Sequence, residues 1–303
     1  MTVPELLPTT VVGSYPVHPT HAECMAAYRT GRDPYLLSLE QAVEAQLAAG
    51  LDIISDGQTR AGIVSLFASR LGGIRMKGRP VIFDDVSFRR SITTDDLVRA
   101  REVAAGRASV KGIVTGPYTL ARGCVNAHYD REEDAAFALA RALNAEVRAL
   151  EAAGAPVVQV DEPFFSVDLP VYAQELVAEV VRGLEVPVTL HVCGKVAPVL
   201  DALAGMPVAV LDLEFAADPQ LLDAVADTGT VQRIGLGCVR SDDARVETVD
   251  EVAALIRRAC ELLGPERVVP DPDCGLKKLP RKTADAKLRN LVAAARLVRD
   301  ELG

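Results

Sequence analysis

Residues 151–163 read EAAGAPVVQVDEP, and this stretch contains the unit from which the fold is predicted. Apolar residues at helical spacing run back from it to residue 131, and Gly154 follows where a helix C-cap is expected. Residues 156–160 have the composition of a buried strand, and the polar sequence DEP follows directly. The pattern predicts a helix, a parallel strand and a polar strand exit.

The same alternation continues in both directions along the chain. Strands are predicted at residues 10–12, 51–55, 111–115, 156–160, 186–191, 208–213, 232–236 and 267–270. Helices are predicted at residues 38–49, 131–153, 170–183, 196–204, 219–228, 249–263 and 283–302. Eight strands with interleaved helices predict a single (β/α)8 TIM barrel over residues 1–303, with an irregular excursion at about 72–94 that holds a β-hairpin around residues 81–88. A doubly wound open sheet is the alternative, but the first turn, GSYP, lacks the glycine-rich phosphate loop of that fold.

Composition narrows the class of protein. The chain has 303 residues, 33 basic and 42 acidic side chains, and a net charge of −9, which argues against a nucleic-acid partner. No signal peptide or membrane-spanning stretch is recognisable, so a cytoplasmic protein without a membrane partner is expected. Six cysteines in a reducing compartment are not expected to form disulfides. Four of them are interpreted as bystanders: Cys24, Cys124, Cys238 and Cys260.

A possible metal site emerges at the predicted strand exits. His191 and Cys193 lie two residues apart at the end of one strand and therefore face the same side. Glu214 ends the next strand and Cys274 follows the eighth, so closure of a barrel can bring the four together. Two thiolates, an imidazole and a carboxylate suit Zn2+. The alternative is that the histidine and Cys193 are core residues and Cys274 is a loop thiol.

A second polar group surrounds Asp161 and Glu162 at the exit of the fourth strand. Gln58 and Asp56 follow the second strand, and Ser14 follows the first. Carboxylates at a barrel mouth can bind an ammonium group or act as general acids and bases. The alternative is that the DEP sequence only caps the segment that follows it.

Several motifs together resemble a known family. They are GSYP, LDIISDGQ, VTGPYTL, EAAGAPVVQVDEP, LHVCG, LDLEF and VVPDPDCGLK, and they span most of the chain. In this order they resemble the catalytic barrel of cobalamin-independent methionine synthase and its short archaeal-type relatives. The resemblance implies a barrel similar to that of uroporphyrinogen decarboxylase and a zinc ion that activates a thiol acceptor. It further implies the zinc ligands His191, Cys193, Glu214 and Cys274, an amine-binding Asp161, and carboxylate binding of homocysteine by Gly13 and Ser14.

Departures from the family pattern concern the methyl donor. The folate-using members have a glutamate at the position of Gln58, a tryptophan near Gly123 and a histidine in the loop GCVRSDDARVET, whereas this chain has no tryptophan and that loop has no histidine. A second carboxylate expected at Val167 is also replaced, although Asp168 is adjacent. These differences favour a corrinoid donor, free or held by a corrinoid protein, for homocysteine methylation. Two alternatives stay open: zinc-dependent addition of a coenzyme-M-type thiol to an epoxide, and a non-catalytic zinc-stabilised partner subunit.

Overall fold

The structure, a computed structural model, describes residues 3–60 and 62–303. The described residues form eleven strands: β1 (Ile53–Ile54), β2 (Gly72–Lys77), β3 (Arg79–Ser87), β4 (Ser109–Val110), β5 (Gly112–Thr115), β6 (Val125–Asn126), β7 (Val158–Asp161), β8 (Val188–His191), β9 (Val210–Glu214), β10 (Arg233–Val239) and β11 (Val268–Pro272). The helices of the same part of the chain are α1 (His21–Thr30), α2 (Leu36–Ala49), α3 (Ile63–Ala68), α4 (Thr94–Ala104), α5 (Pro117–Gly123), α6 (Glu132–Ala152), α7 (Ala173–Val181), α8 (Leu200–Ala204), α9 (Leu221–Asp227), α10 (Val249–Leu263) and α11 (Arg281–Leu302).

Parallel strand pairing forms most of a TIM barrel, as predicted. The order β5, β7, β8, β9, β10 and β11 is continuous, and β1 pairs separately with β4. The register places Asp161 beside His191, and His191 beside Asp212. Because the carboxyl ends of parallel strands lie at one edge, this register brings the predicted site residues to the same mouth of the barrel.

The barrel closes through the chain segment at residues 9–12. Thr10 N donates to Pro270 O of β11 at 3.0 Å, and Ile53 N of β1 donates to Thr9 O at 3.0 Å. On the other side of β1, the backbone N of Lys111 donates to Ile54 O at 3.0 Å. The predicted first strand therefore has neighbours on both sides, although its few hydrogen bonds do not make it a regular strand.

Apolar and polar side chains alternate along β7, so the same strand contributes to the hydrophobic core and to the polar interior of the barrel. Val158 and Val160 belong to the hydrophobic core, whereas Gln159 and Asp161 make hydrogen bonds with polar groups inside the barrel. Successive side chains of a strand point to opposite faces, so the valines can pack outward while the polar residues point inward. The apolar pattern that predicts the strand and the polar residues that form the site thus come from the same four residues.

The excursion predicted at residues 72–94 contains an antiparallel hairpin of β2 and β3, to which β6 adds in parallel. The hairpin prediction was wrong about its position, because residues 81–87 belong to a single strand and the turn lies at Gly78. Gly78 has φ of 66°, a left-handed conformation that glycine adopts at little cost. Among the described residues, no helix has the length and apolar character needed to cross a membrane.

Candidate active site

Three of the four predicted metal ligands converge. His191 ends β8, Cys193 lies two residues beyond it, and Cys274 follows β11. One ligand atom from each of the three lies within 4.8 Å of the others. His191 is almost completely buried, and the two cysteines are partly exposed. All six cysteines of the chain are free thiols.

His191 is oriented by a residue that the sequence analysis missed. Its Nδ1 lies 3.0 Å from Asp212 Oδ2, while its Nε2 is buried and has no hydrogen-bond partner among the described residues. Although burial opposes the charged imidazole, the Asp212 carboxylate and, to a lesser extent, the nearby Cys274 side chain raise the pKa of His191 well above its usual value. A carboxylate on one ring nitrogen is the arrangement that leaves the other nitrogen free for a metal. A charged residue inside the apolar run VLDLEF, two positions before Glu214, was the available signal for Asp212.

The two thiols differ in acidity because they contact each other. A hydrogen bond from Cys274 lowers the pKa of Cys193, against the opposing effect of burial. The same hydrogen bond and burial raise the pKa of Cys274, while His191 acts in the opposite direction. Cys193 is therefore the first of the pair to become a thiolate, the form that ligates metals.

Glu214 does not join this three-residue set. Its side chain is half-buried at the end of β9, where it accepts a hydrogen bond from the backbone N–H of Gly194. Burial raises the pKa of Glu214, and the hydrogen bond and the charge of His191 lower it. The fourth predicted ligand is thus close enough to His191 to interact electrostatically, but it remains a prediction as a ligand.

An open cavity at the barrel mouth is lined both by predicted metal ligands and by the polar residues predicted around Asp161. Six residues discussed above line it: Ser14, Gln58, Asp161, His191, Cys193 and Cys274. Further lining residues come from the loops after β10 and β11, and they include Ser241, Asp242, Gly275, Lys277 and Lys278. Gly13 and Glu214 are not among its lining residues.

Gly13 instead makes room for Gln58. A Cβ atom at Gly13 would lie 2.8 Å from Gln58 Oε1 and 2.9 Å from Ile113 Cδ1, so a side chain at Gly13 would displace the amide end of Gln58. Gln58 itself has φ of 43°, a strained conformation for a residue with a side chain, and its N–H donates to Asp56 Oδ1 at 2.9 Å. Strained backbone of this kind concentrates at functional sites. The contact makes Gly13 a residue that positions the cavity wall.

The adjacent acids Asp161 and Glu162 have different surroundings. Asp161 lines the cavity, and its Oδ1 accepts a hydrogen bond of 2.7 Å from Gln159 Nε2. Glu162 is buried at the N-terminus of α5, where it accepts from Tyr118 N, Thr119 N and Thr119 Oγ1 at 2.7 to 2.8 Å. The capping alternative for the DEP sequence was wrong about the segment, because Glu162 caps the preceding helix α5 and makes no side-chain cap on the turn at Pro163–Ser166 that follows it. Of the two acids, Asp161 is the one that lines the cavity.

Asp168 is placed outside this site. The Tyr118 hydroxyl donates to Asp168 Oδ2 at 3.0 Å, and Arg122 Nη1 lies 3.5 Å from the same oxygen. Both partners belong to α5, and Asp168 does not line the cavity. It does not take the place of the carboxylate that the sequence comparison expected at Val167.

Comparisons with known proteins agree on one family. The family model described as the catalytic domain of cobalamin-independent synthase matches residues 7–297. The methionine synthase of Methanothermobacter thermautotrophicus is 39% identical, over 95% of this chain and 99% of its own length, and that of Methanocaldococcus jannaschii is 34% identical, over 96% and 99%. The solved structure of a B12-independent methionine synthase from Shewanella sp. W3-18-1, in complex with selenomethionine, has a TM-score of 0.85 and 25% identity, over 98% of this chain and 99% of that one.

Proposed function

Because the chain belongs to the cobalamin-independent methionine synthase family, we propose that it is a methyltransferase that methylates the thiol of homocysteine to give methionine. Family membership over nearly the whole chain supports the reaction class. The open cavity supports it chemically, because the three residues that could ligate a metal and the carboxylate of Asp161 line one cavity. One acceptor molecule that has both a thiol and an ammonium group matches this pairing.

The observation that carries the proposal is the unpartnered Nε2 of His191 beside two thiols. A buried ring nitrogen without a hydrogen bond is costly unless another group satisfies it. The donor set of one imidazole and two thiolates fits zinc, so we assign His191, Cys193 and Cys274 as ligands and Glu214 as the fourth. When bound there, zinc supplies the acidity that converts an acceptor thiol into a nucleophilic thiolate at neutral pH.

The chain's own residues would hold the acceptor beside that position. We assign Asp161 to the ammonium group of homocysteine, because it is the buried acid that lines the cavity. Ser14 lines the same cavity and is assigned to the carboxylate, next to Gly13. Gln58 lines the cavity with an uncharged amide, whereas a carboxylate at this position would strengthen ammonium binding. Because this chain lacks the negative charge of a glutamate at position 58, coenzyme-M-type thiols, which have no ammonium group, are to be tested as alternative acceptors.

We assign the methyl donor to the corrinoid class, free or bound to a carrier protein. The loop at residues 237–248 has no imidazole, and its residues at the cavity are Ser241 and Asp242. Methyl transfer from a folate requires protonation of a tertiary amine, which turns it into a leaving group. A corrinoid releases its methyl group without that proton, so a site without histidine is sufficient.

The test is a product assay with the zinc-loaded protein. Homocysteine is incubated with methylcobalamin, with methyltetrahydrofolate or without a donor, and methionine is measured by mass spectrometry. We expect zinc-dependent methionine from methylcobalamin and none from the folate. Methionine formed only from the folate would overturn the donor assignment. In parallel reactions with a coenzyme-M-type thiol, alkylation of that thiol but not of homocysteine would overturn the acceptor assignment. Alkylation of neither thiol would overturn the assignment as an enzyme.

A further inference from the structure

A continuous chain of polar side chains crosses the barrel interior beneath the site cavity. Lys111 Nζ donates hydrogen bonds to Gln159 Oε1 and to the carbonyl of Val11. Gln159 Nε2 donates to Asp161 Oδ1 and to Val12 O, each at 2.7 Å. Lys111, Gln159 and Asp161 are 4%, 0% and 6% exposed, so water competes little for these bonds. These hydrogen bonds connect three parts of the barrel. They are the residue before β5, strand β7 and the closing segment at residues 9–12.

Lys111 determines which way the Gln159 amide faces. The two ends of a glutamine amide have nearly the same shape, but one accepts hydrogen bonds and the other donates them. A lysine ammonium only donates, so it can contact only Oε1, and Nε2 must then face Asp161. In the reversed orientation the amide oxygen would face a carboxylate oxygen, which is repulsive. The lysine therefore fixes a donor against the Asp161 carboxylate.

The charge of Lys111 acts in the same direction. Burial lowers the pKa of Lys111, and the carboxylates of Asp212, Asp271 and Asp161 act against that fall. These three acids lie on the alternate strands β9, β11 and β7. Burial raises the pKa of Asp161, and His191, the Gln159 hydrogen bond and Lys111 act against that rise. The second oxygen of Asp161, Oδ2, has no hydrogen bond within the described part of the chain, which leaves it for a ligand. The carboxylate is thus held at one oxygen and open at the other.

We propose that Gln159 and Lys111 are positioning residues, which hold Asp161 in the orientation that binds the ammonium group of the acceptor. The inference rests on the proposed function, because Asp161 is the residue assigned there to that ammonium. Neither positioning residue contacts the acceptor. Gln159 acts through the hydrogen bond from its Nε2 to Asp161 Oδ1, and Lys111 acts through the orientation of that amide and through its charge.

The experiment compares two thiols that differ only in the ammonium group. Calorimetry of the zinc-loaded protein gives the affinity for homocysteine and for 4-mercaptobutanoate, which is homocysteine without its amine. The native protein should prefer homocysteine, and Gln159→Leu should reduce the ratio of the two affinities about tenfold or more. Gln232→Leu is the matched control, because Gln232 is also a buried glutamine, directly before β10, but its amide bonds to Thr230 Oγ1 and Met206 O, neither of which belongs to a residue that lines the site cavity. It should leave the ratio unchanged.

Further variants separate positioning from general damage. Asp161→Asn should lower the ratio, and adding Gln159→Leu to it should lower the ratio no further, since both act through one carboxylate. If Gln159→Leu does not fold, Lys111→Met tests the same path and should also lower the ratio. Equal loss of both affinities, or an unchanged ratio, would overturn the positioning role. A native protein that does not prefer homocysteine would instead overturn the acceptor assignment of the proposed function.

Discussion

Cys274 and Cys260 offer a direct comparison of two partly buried thiols in one chain. Cys274 belongs to the three-residue cluster, whereas Cys260 lies on α10, where burial raises its pKa to about 11. Cys274→Ser should weaken zinc binding by at least about 100-fold, because loss of even an outer-shell partner commonly costs 10–100-fold. Competition with a chromogenic chelator measures the change. Cys260→Ser should bind zinc like the native protein, and native affinity in Cys274→Ser would contradict the ligand assignment.

Asp56, which accepts a hydrogen bond from the backbone N–H of the cavity residue Gln58, gives a pH-dependent test. Burial, reinforced by the charge of Asp96, raises the pKa of Asp56 to about 6 from an ordinary value of 3.8. A carboxyl group whose pKa is raised by folding stabilises the protein fully below pH 3.8, and that contribution is lost as the pH rises through about 6. The neutral variant Asp56→Asn should therefore remove up to about 3 kcal/mol of the fall in unfolding free energy between pH 4 and pH 7.

Urea unfolding at several pH values measures this difference. The Asn side chain keeps an oxygen that can accept from Gln58 N, so the turn itself should persist. Asp130→Asn, at an exposed position, is the control and should follow the native pH profile. Parallel profiles for Asp56→Asn and the native protein would show that Asp56 has an ordinary pKa.

At the scale of the element, the short helix α5 depends on an acid from another strand. Its first N–H groups, which no helix can satisfy internally, donate to Glu162 at the end of β7. Glu162→Gln replaces one accepting oxygen by a donor that faces these donors. We expect a loss of about 1–3 kcal/mol in the free energy of unfolding, measured in urea. Glu185→Gln, at an exposed position, should change it by less than about 0.5 kcal/mol; an equal effect of both changes would contradict the capping role.

This cap illustrates which elements the sequence could predict. Strand β7 and helix α6 follow directly from apolar periodicity, because their local pattern and their tertiary burial agree. Helix α5 has only seven residues and is stabilised by a residue 44 positions away in the sequence, so its local pattern contains too little information. The β2–β3 hairpin was placed too late because its turn depends on the conformation of Gly78. Periodicity does not report that conformation.

The candidate site, like the elements, was predicted from the sequence only in part. The order of strand exits was sufficient to bring His191, Cys193 and Cys274 together, because barrel topology fixes where strand ends meet. The residues behind them, Asp212 and Gln159, were not identified. Their role depends on hydrogen-bond partners from neighbouring strands, and spacing along one strand does not specify those partners. Sequence reasoning therefore found the cavity-lining residues at the strand exits, and it missed both the groups that orient them and the lining residues from the loops after β10 and β11.

At the scale of the whole molecule, the last helix ties the end of the barrel to its beginning. Arg299 of α11 donates to the carbonyls of Leu6 and Leu7, which precede the closing segment. Lys287 of the same helix is completely buried, and its Nζ lies 2.6 Å from Glu247 Oε2. Glu247 also accepts from the backbone N–H of Arg240 at 3.0 Å. Through this glutamate, α11 anchors the loop that contributes Ser241 and Asp242 to the cavity.

Removing the buried lysine should destabilise the whole barrel. Lys287→Met leaves Glu247 as an unpaired buried charge, which typically costs about 3–5 kcal/mol in the free energy of unfolding. The exposed pair Arg257–Glu301 joins α11 to α10 instead of to the loop, so Arg257→Met is a control on the same helix that should cost about 1 kcal/mol or less. Adding Glu247→Gln to Lys287→Met should recover part of the loss, because it removes the unpaired charge. Urea unfolding of the four proteins decides the matter: a Lys287→Met variant within about 1 kcal/mol of the native protein would mean that the ion pair does not hold α11 to the loop.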